Sequence, residues 1–214
     1  MRLKKAGVHF YFCGLLILTL GIALAILSAL GTSPFDALLV GLYRTFGLSV
    51  GSWEIVVGFI MVLGNALLER VRPEYFALIT SFVTGIGIDS WLFLLRLFGE
   101  PQTFAGQWIY LVLSIVLTGV GVAIYLQSKV APNPMDRSML IVAKLTRLNI
   151  TYSRAIINVF LVLLALLFSG AIGIGTLLNA LLTGAVIHFV LPYMERLRVT
   201  SLTALENAER IEIK

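Results

Sequence analysis

Two short polar segments, 100 residues apart, hold the residue types best suited to chemistry. Residues 33–36 read Ser-Pro-Phe-Asp, and residues 133–136 read Asn-Pro-Met-Asp. Ser33 and Asn133 are residue types that cap helix N-termini, and proline is favoured at the first helical position. Asp36 and Asp136 then stand at the third helical position, where a carboxylate can accept from the amide of the capping residue. Each segment therefore predicts the start of a helix.

These two helix starts allow two interpretations, and both stay open at the level of sequence. In the first, the aspartates only cap their helices. In the second, both starts point toward one central region and form a binding site, because helix N-termini attract polar or anionic groups. The carboxylates would repel an anion unless Arg137, next to Asp136, offset one of them. Alternatively, Asp36 or Asp136 binds a proton or a cation.

Further ionisable residues interrupt the apolar segments. Asp89 ends the segment Thr-Gly-Ile-Gly-Ile-Asp at 84–89. A charge near the bilayer centre costs about 2.5–3.5 kcal/mol, so such a residue faces a partner or a cavity. His188 is a candidate for titration near neutral pH, with a packed helix residue as the alternative. Glu54 and Arg154 each stand near the start of an apolar segment, where we expect interface anchors rather than site residues.

Other reaction chemistries lack their sequence motifs. No His and Cys cluster has the spacing of a metal site, and no Walker loop, Ser-x-x-Lys or His-Glu-x-x-His motif occurs. A protease-like pair of Asp36 and Asp136 is disfavoured, because helix capping explains both residues. We therefore expect a protein that is not an enzyme and that uses no cofactor and no metal.

Composition identifies the environment in which these residues work. Hydrophobic residues make up 59% of the 214-residue chain and charged residues 13%, whereas soluble domains have about 45–50% and about 25%. A chain this apolar cannot cover its surface with polar groups, so its surroundings are lipid. A soluble enzyme, a disordered chain and a disulfide-rich secreted domain are thereby excluded.

The apolar residues fall into six long segments, each near the roughly 20 residues that a helix needs to cross a bilayer. They cover about 8–30, 51–68, 75–98, 107–127, 151–169 and 172–194. Two segments of about 15 residues, 33–48 and 133–148, are too short for a full crossing and contain charged residues. We expect half-helices there, and hence an all-α polytopic membrane protein with six transmembrane helices plus two short half-helices.

The distribution of positive charge predicts the orientation. With six crossings and a cytoplasmic amino terminus, 14 of the 16 Lys and Arg residues face the cytoplasm, and Arg44 and Arg96 lie outside. This excess agrees with the positive-inside rule and places both termini in the cytoplasm. Eight crossings would place the loop with Arg70 and Arg72 outside, so the charges favour six.

The two halves resemble each other at a shift of about 100 residues. The Pro-x-Asp motifs coincide at a shift of 100, as do Glu54 and Arg154, whereas Asp89 meets His188 at a shift of 99. Three crossings per half force the second half to enter from the opposite face. We therefore predict an inverted 3+3 internal repeat, with repeat one at about 8–98 and repeat two at about 107–194.

Three segments resemble the YczE/YitT-like family of bacterial multi-pass inner-membrane proteins. They are Gly-Thr-Ser-Pro-Phe-Asp at 31–36, Thr-Gly-Ile-Gly-Ile-Asp at 84–89 and Pro-Asn-Pro-Met-Asp at 132–136. The resemblance covers about residues 8–195 and implies a bacterial plasma membrane but little chemistry. Members of the YitT branch often carry a soluble carboxy-terminal domain; we expect none here, and hence a greater similarity to the YczE branch.

These observations predict a small transporter or permease that moves a polar or ionic solute through a site between the repeats. Alternatives are a membrane scaffold or accessory subunit without transport, and a passive channel. The candidate binding residues are Ser33, Asp36, Asp89, Asn133, Asp136, Arg137 and His188. We expect a single membrane domain over 1–199, followed by a short cytoplasmic tail, 200–214. Expected partners are the lipid bilayer and a small-molecule or ion substrate, with a homo-oligomer left open and no nucleic acid.

Overall fold

The architecture is a bundle of long and short helices. The computed structural model describes residues 2–128 and 133–212, with side chains for 7–128 and 133–199. This part of the chain forms eight α-helices and no strand. In order they are α1 Arg2–Leu27, α2 Pro34–Phe46, α3 Val50–Glu69, α4 Tyr75–Leu97, α5 Phe104–Leu126, α6 Pro134–Thr146, α7 Ile150–Leu167 and α8 Ile174–Glu212.

The predicted six spans and two half-helices are confirmed. Six of the described helices, all except α2 and α6, are long and apolar enough to cross a membrane. The short helices α2 and α6 have 13 residues each, which corresponds to about 20 Å and falls short of the bilayer core. α8 continues as one helix through Pro192 to Glu212 and so extends into the segment 200–214. The side chains of residues 200–214, together with Lys129 and Pro132, lie outside the described residues.

The same devices start corresponding helices in the two halves. Ser33 and Asn133 are the N-caps of α2 and α6, and proline follows each of them. Ser49 and Asn149 cap α3 and α7, each accepting a hydrogen bond from the amide three residues later. A capping side chain satisfies one of the amides that the first helical turn leaves unpaired. Corresponding helix starts are thus specified locally by the sequence.

The centre of the bundle is the crossing of α1 and α5, which run antiparallel. Gly14 lies against Tyr125, and Gly21 lies against Thr118, so residue numbers rise along one helix as they fall along the other. Gly121 lies against Leu18 in the same way. Small residues allow this close backbone approach, which is the usual basis of helix association in lipid.

The half-helices pack on the opposite half of the bundle. α2 packs against α7, and α6 packs against α3, so each half-helix is held partly by the other half. Residues 34–42 of α2 are all buried and, apart from Asp36, they are apolar, as expected for a helical segment enclosed by protein. In contrast, the buried residues of α6 are Pro134, Met139 and Ile141. The first half-helix is therefore enclosed, and the second is more exposed.

The turn between α1 and α2 is joined to the turn before α8. Thr32 donates its amide proton to the Ala171 carbonyl at 3.0 Å, and Gly175 donates to the Leu30 carbonyl at 2.8 Å. Gly31 has φ +108° and lies against the backbone of Gly173. Glycine is required there, because other residues rarely adopt this φ and a Cβ would meet that backbone. This junction fixes the height at which α2 begins.

The two halves differ in how their last helices pack. α3 and α4 pack closely along their length, whereas α7 and α8 make no comparable contact within the described residues. In α3, Gly51 lies against Gly85 and Gly58 lies against Ser81. At a shift of 100, α7 has Thr151 and Asn158 in place of these glycines. The second half therefore lacks the glycines at which α3 and α4 approach each other, and α7 and α8 stay apart.

Candidate binding cavity between the two halves

A cavity of about 150 Å³ lies between the two halves, at the starts of both half-helices. Helices from both halves contribute to its wall. The apolar part includes Leu18, Ile22, Phe35, Val122 and Met135, and the polar part includes Ser33, Asp36, Glu54, Thr84, Thr118, Tyr125, Asn133, Asp136, Arg154, Asn158, Asn179 and Thr183. Four of the predicted site residues, Ser33, Asp36, Asn133 and Asp136, are therefore brought together in one place.

At the start of α2, Asp36 and Ser33 bind each other. The Ser33 hydroxyl donates to Oδ2 of Asp36 at 2.6 Å, and the Asp36 amide donates to Oγ of Ser33 at 3.2 Å. The expected cap is present, but the carboxylate accepts from the hydroxyl of Ser33. Asp36 is 8% exposed, so its charge is held away from bulk water by the surrounding helices. One carboxylate oxygen, Oδ2, is engaged by this bond.

At the start of α6, the cap and the carboxylate act separately. Oδ1 of Asn133 accepts from the Met135 amide at 3.0 Å. Asp136 instead accepts from the phenol of Tyr125, on α5, at 3.0 Å. Arg154 lies close enough to act electrostatically on Asp136. Capping alone therefore accounts for Asn133, whereas Asp136 faces groups on other helices across the cavity.

Glu54 belongs to this cavity, although the sequence suggested an interface anchor. Its side chain is 1% exposed, and Oε1 has no hydrogen-bond partner within the protein. It lies close enough to Asp36 for the two carboxylates to repel each other when both are charged. The alignment of Glu54 with Arg154 could have indicated that both belong to the site. Each is the fifth residue of its helix, and both line the cavity.

Two more buried oxygen atoms on the cavity wall lack partners within the protein. They are Oγ1 of Thr84 and Oδ1 of Asn158. A buried polar atom without a partner costs about 1–3 kcal/mol, so such atoms are rare in folded proteins. Together with Oε1 of Glu54, they give this cavity three oxygen atoms that are free to bind a solute. Thr84 and Asn158 were not among the candidates from sequence, because single Thr and Asn residues are common in membrane helices.

Among the described residues of the cavity wall, the charged ones are three acids and one base. Asp36, Glu54 and Asp136 are opposed by Arg154. Buried ionised groups are stable when they are paired, hydrogen-bonded or neutralised. Arg154, an exposed side chain, acts on Asp136, whereas Asp36 and Glu54 lie close to each other. The acidic excess favours a cation or protons over an anion.

Asp89 lies outside the cavity and holds the start of α3. Its Oδ1 accepts from the Gly51 amide at 2.8 Å, and its Oδ2 accepts from the Ser49 hydroxyl at 2.5 Å. Both partners belong to the first turn of α3 or to its cap. Of the two possibilities named above for Asp89, a partner or a cavity, the structure therefore shows the partner: a hydrogen bond between helices.

Arg137 points away from the two aspartates and into an ion cluster. It contacts Glu69 at 2.7 Å and Glu74 at 3.5 Å, and Lys144 contacts Glu69 at 3.0 Å. These pairs join α6 to the end of α3 and to the loop before α4. Arg137 therefore does not offset Asp136, a role that falls to Arg154.

His188 is exposed on the outer face of α8. It lines a surface groove with Phe189, Pro192, Tyr193 and Arg196 and has no place in the central cavity. The sequence relationship between Asp89 and His188 thus connects two positions outside the site. Among the described side chains, no group of three His, Cys, Asp or Glu residues could hold a metal ion.

The fold and cavity define a polytopic helical membrane protein with a buried polar site between two similar halves. The chain belongs to the family of unknown function DUF6198, which it matches over residues 5–192. It is 46% identical to the uncharacterized protein YyaS of Bacillus subtilis over 87% of this chain and 93% of that protein. It is 36% identical to the uncharacterized membrane protein YczE of the same organism, over 86% and 84% of the two chains.

A more distant relative is an uncharacterized protein of Haemophilus influenzae, 27% identical over 85% of this chain and 81% of that protein. No solved structure matches the chain. The match to YczE confirms the resemblance indicated by the motifs at 31–36, 84–89 and 132–136.

Proposed function

We propose that the protein is a small secondary transporter that moves a polar or ionic solute through the cavity between its two halves. The observation that carries this proposal is that both half-helix starts, with Asp36 and Asp136, line one buried cavity. Half-helices that end at a central site between repeats are a recurring design of secondary transporters. Irregular backbone at membrane depth is tolerated where it lines such a cavity.

Paired contacts support an inverted 3+3 repeat around this site. Gly21 lies against Thr118, and Gly121 lies against Leu18. A shift of 100 residues converts each contact into the other. The same shift relates the N-caps Ser33 and Asn133. Because α1 and α5 are antiparallel, the operation that relates them is an axis across the bundle, as an inverted repeat requires.

We place the protein in a bacterial plasma membrane, multi-pass, with both termini in the cytoplasm. The ion cluster around Glu69 gathers Arg137 and Lys144 on the face of the α3–α4 loop. Arg44 lies on the opposite face, where it donates to the Ser169 carbonyl at 2.9 Å. This separation agrees with the positive-inside rule. The proposal involves no catalytic residue, no cofactor and no nucleic acid, and it leaves homo-oligomerisation open.

The two faces of the bundle give a basis for alternating access. On the cytoplasmic face, salt bridges of Arg137 and Lys144 to Glu69 hold α6. On the outer face, α2 is held by hydrogen bonds from Arg44 and Thr45 to backbone carbonyls of the α7–α8 turn. Rocking of one repeat against the other would break one set while preserving the other. The cavity between them would then open to one side at a time.

Exchange in proteoliposomes tests the proposal. Full-length protein is reconstituted, and uptake of labelled butylammonium, γ-aminobutyrate, butyrate and glycerol is compared with uptake by empty liposomes. A transporter gives saturable uptake of at least one labelled probe. The same probe, loaded unlabelled inside the proteoliposomes, should increase the rate of this uptake. Asp36→Asn and Asp136→Asn should abolish it, whereas Glu100→Gln, an exposed loop residue paired with Arg96, should retain it.

Three results would contradict this proposal. Full exchange by both aspartate variants would refute the site assignment. Non-saturable flux without stimulation from the inside would indicate a passive channel. No uptake of any probe, together with stable co-purification of a partner protein, would indicate a scaffold or accessory subunit.

A further inference from the structure

The unpartnered atoms in the cavity wall have one chemical character in common. Oε1 of Glu54, Oγ1 of Thr84 and Oδ1 of Asn158 are oxygens able to accept hydrogen bonds. Glu54 and Thr84 are each 1% exposed, so bulk water does not satisfy these atoms. A carboxylate and an amide oxygen accept only, and a hydroxyl can accept as well as donate. The complementary ligand is therefore rich in donors.

The helix starts are less suited to an anion than their dipoles suggest. The Asp36 amide already donates to Ser33, and the Met135 amide already donates to Asn133. These are the first-turn amides through which a helix N-terminus would bind an anion. Arg154 is the basic residue among the described residues of the wall, and it lies beside Asp136. An anion would thus meet occupied donors and three carboxyl groups.

A groove of about 330 Å³ adjoins the cavity, between α7 and α8. It shares Pro34, Asn158 and Ala180 with the cavity. The rest of the groove is mainly apolar, with Val159, Val162, Leu163, Ile172 and Leu177 among its lining residues. It exists because α7 and α8 do not close on each other as α3 and α4 do. A ligand in the cavity can therefore extend a hydrocarbon part into this groove.

We propose that the cavity binds the ammonium group of a small amphiphilic amine, with Glu54 as the principal anionic partner and the hydrocarbon part in the α7–α8 groove. This inference rests on the proposed function, because it assigns a ligand class to the same cavity. A cavity of about 150 Å³ matches one known to hold benzene, which has about six non-hydrogen atoms. An ammonium group supplies three donors to the unpartnered oxygens.

Binding to the full-length protein in detergent tests the inference by calorimetry with butylammonium, ethylammonium and butyrate. Butylammonium should bind, and butyrate, with the same hydrocarbon chain and opposite charge, should not. Each added CH₂ that enters the groove should tighten binding about fourfold. Glu54→Gln should lower the affinity for butylammonium about tenfold or more, whereas Glu100→Gln should leave this affinity unchanged. Ala180→Phe, which fills the junction of cavity and groove, should remove the preference for butyl over ethyl.

Several results would overturn the inference. Binding of butyrate to the unmodified protein as tightly as butylammonium, or more tightly, would do so. Unchanged affinity of a correctly folded Glu54→Gln protein for butylammonium would do so as well. Equal affinity for ethylammonium and butylammonium would refute the role of the groove. Binding and exchange separate the two proposals. Binding of butylammonium without exchange would refute transport and preserve the ligand class, whereas saturable exchange of butyrate would preserve transport and refute the ligand class.

Discussion

Gly51 of α3 lies directly against Gly85 of α4, so that neither position has room for a Cβ atom. At the corresponding place in the second half, Thr151 replaces Gly51, and Gly184 of α8 has no atom near its missing Cβ. The close glycine contact of α3 and α4 thus has no counterpart between α7 and α8. The groove that adjoins the central cavity lies between the two helices of this open pair, α7 and α8.

This difference predicts opposite effects of the same substitution on stability. Gly85→Ala places a Cβ against the Gly51 carbonyl and should cost about 1–3 kcal/mol, because backbone cannot move aside cheaply. Gly184→Ala enters open space and should be neutral or stabilising by up to about 1 kcal/mol, since alanine is the better helix former. Thermal unfolding in detergent measures both. Equal shifts in the two variants would show that α7 and α8 pack as closely as α3 and α4.

A second prediction separates Asp89 from His188, which the sequence relates by a shift of 99 residues. Asp89→Ala removes the acceptor of the Gly51 amide and the Ser49 hydroxyl, and should cost about 0.5–2 kcal/mol, like the loss of a helix cap. His188→Ala alters an exposed side chain and should change stability by less than about 0.5 kcal/mol. Unfolding temperatures test this difference. Exchange per folded molecule should be unchanged in both variants, and its loss in either would place that residue in the site.

The fold could be predicted from sequence to the extent that local rules determine it. The length of an apolar segment decides whether a helix crosses the bilayer. Ser33 with Pro34, and Asn133 with Pro134, specify helix starts through caps that involve only neighbouring residues. The six spans and both half-helices follow from these rules, and so do the first residues of the two half-helices. The continuation of α8 past Pro192 does not, because a proline inside a membrane helix can be tolerated or can end it.

The site could be predicted only in part, because its members are brought together by packing. Glu54 is near the start of its span in the sequence, which suggested contact with water, but neighbouring helices bury it almost completely. Arg137 is adjacent to Asp136 in the chain, yet its guanidinium reaches Glu69, 68 residues away. Depth in the membrane and direction of a long side chain are tertiary properties. A hydropathy pattern does not contain them.

The orientation of the protein gives a third prediction. Alkaline phosphatase fused after Gln102, in the loop between α4 and α5, should be active in a bacterial host, because that loop faces outward in the proposed topology. A fusion after Arg72, in the basic loop between α3 and α4, should be inactive, since the positive-inside rule keeps that loop in the cytoplasm. The control is a cytoplasmic reporter at the same positions, which should give the reverse pattern. An active fusion after Arg72 would invert the topology or require a different number of crossings.

A fourth prediction concerns how the cavity opens. In a Cys13→Ala background, Ser33→Cys and Asn133→Cys place one thiol at each half-helix start, both on the cavity wall. Membrane-impermeant thiol reagents are applied to vesicles of defined orientation, and the labelling rate from each face is measured. Alternating access predicts that both thiols become reactive from the same face in a given state. Simultaneous rapid labelling from both faces would indicate a continuous channel.

The ion cluster around Glu69, on the face that we propose to be cytoplasmic, allows this equilibrium to be shifted deliberately. Glu69→Gln removes the carboxylate that holds both Arg137 and Lys144 and leaves the outer contact of Arg44 with Ser169 intact. A change that weakens one closed face must shift the population toward the state open on that face. Labelling of Ser33→Cys and Asn133→Cys from the cytoplasmic face should therefore rise severalfold, and labelling from outside should fall. Gln102→Cys, in the outer loop, should be labelled from outside at the same rate with and without Glu69→Gln. An equal rise in cavity labelling from both faces would mean that the salt bridges only stabilise the fold and do not close one side of a transport cycle.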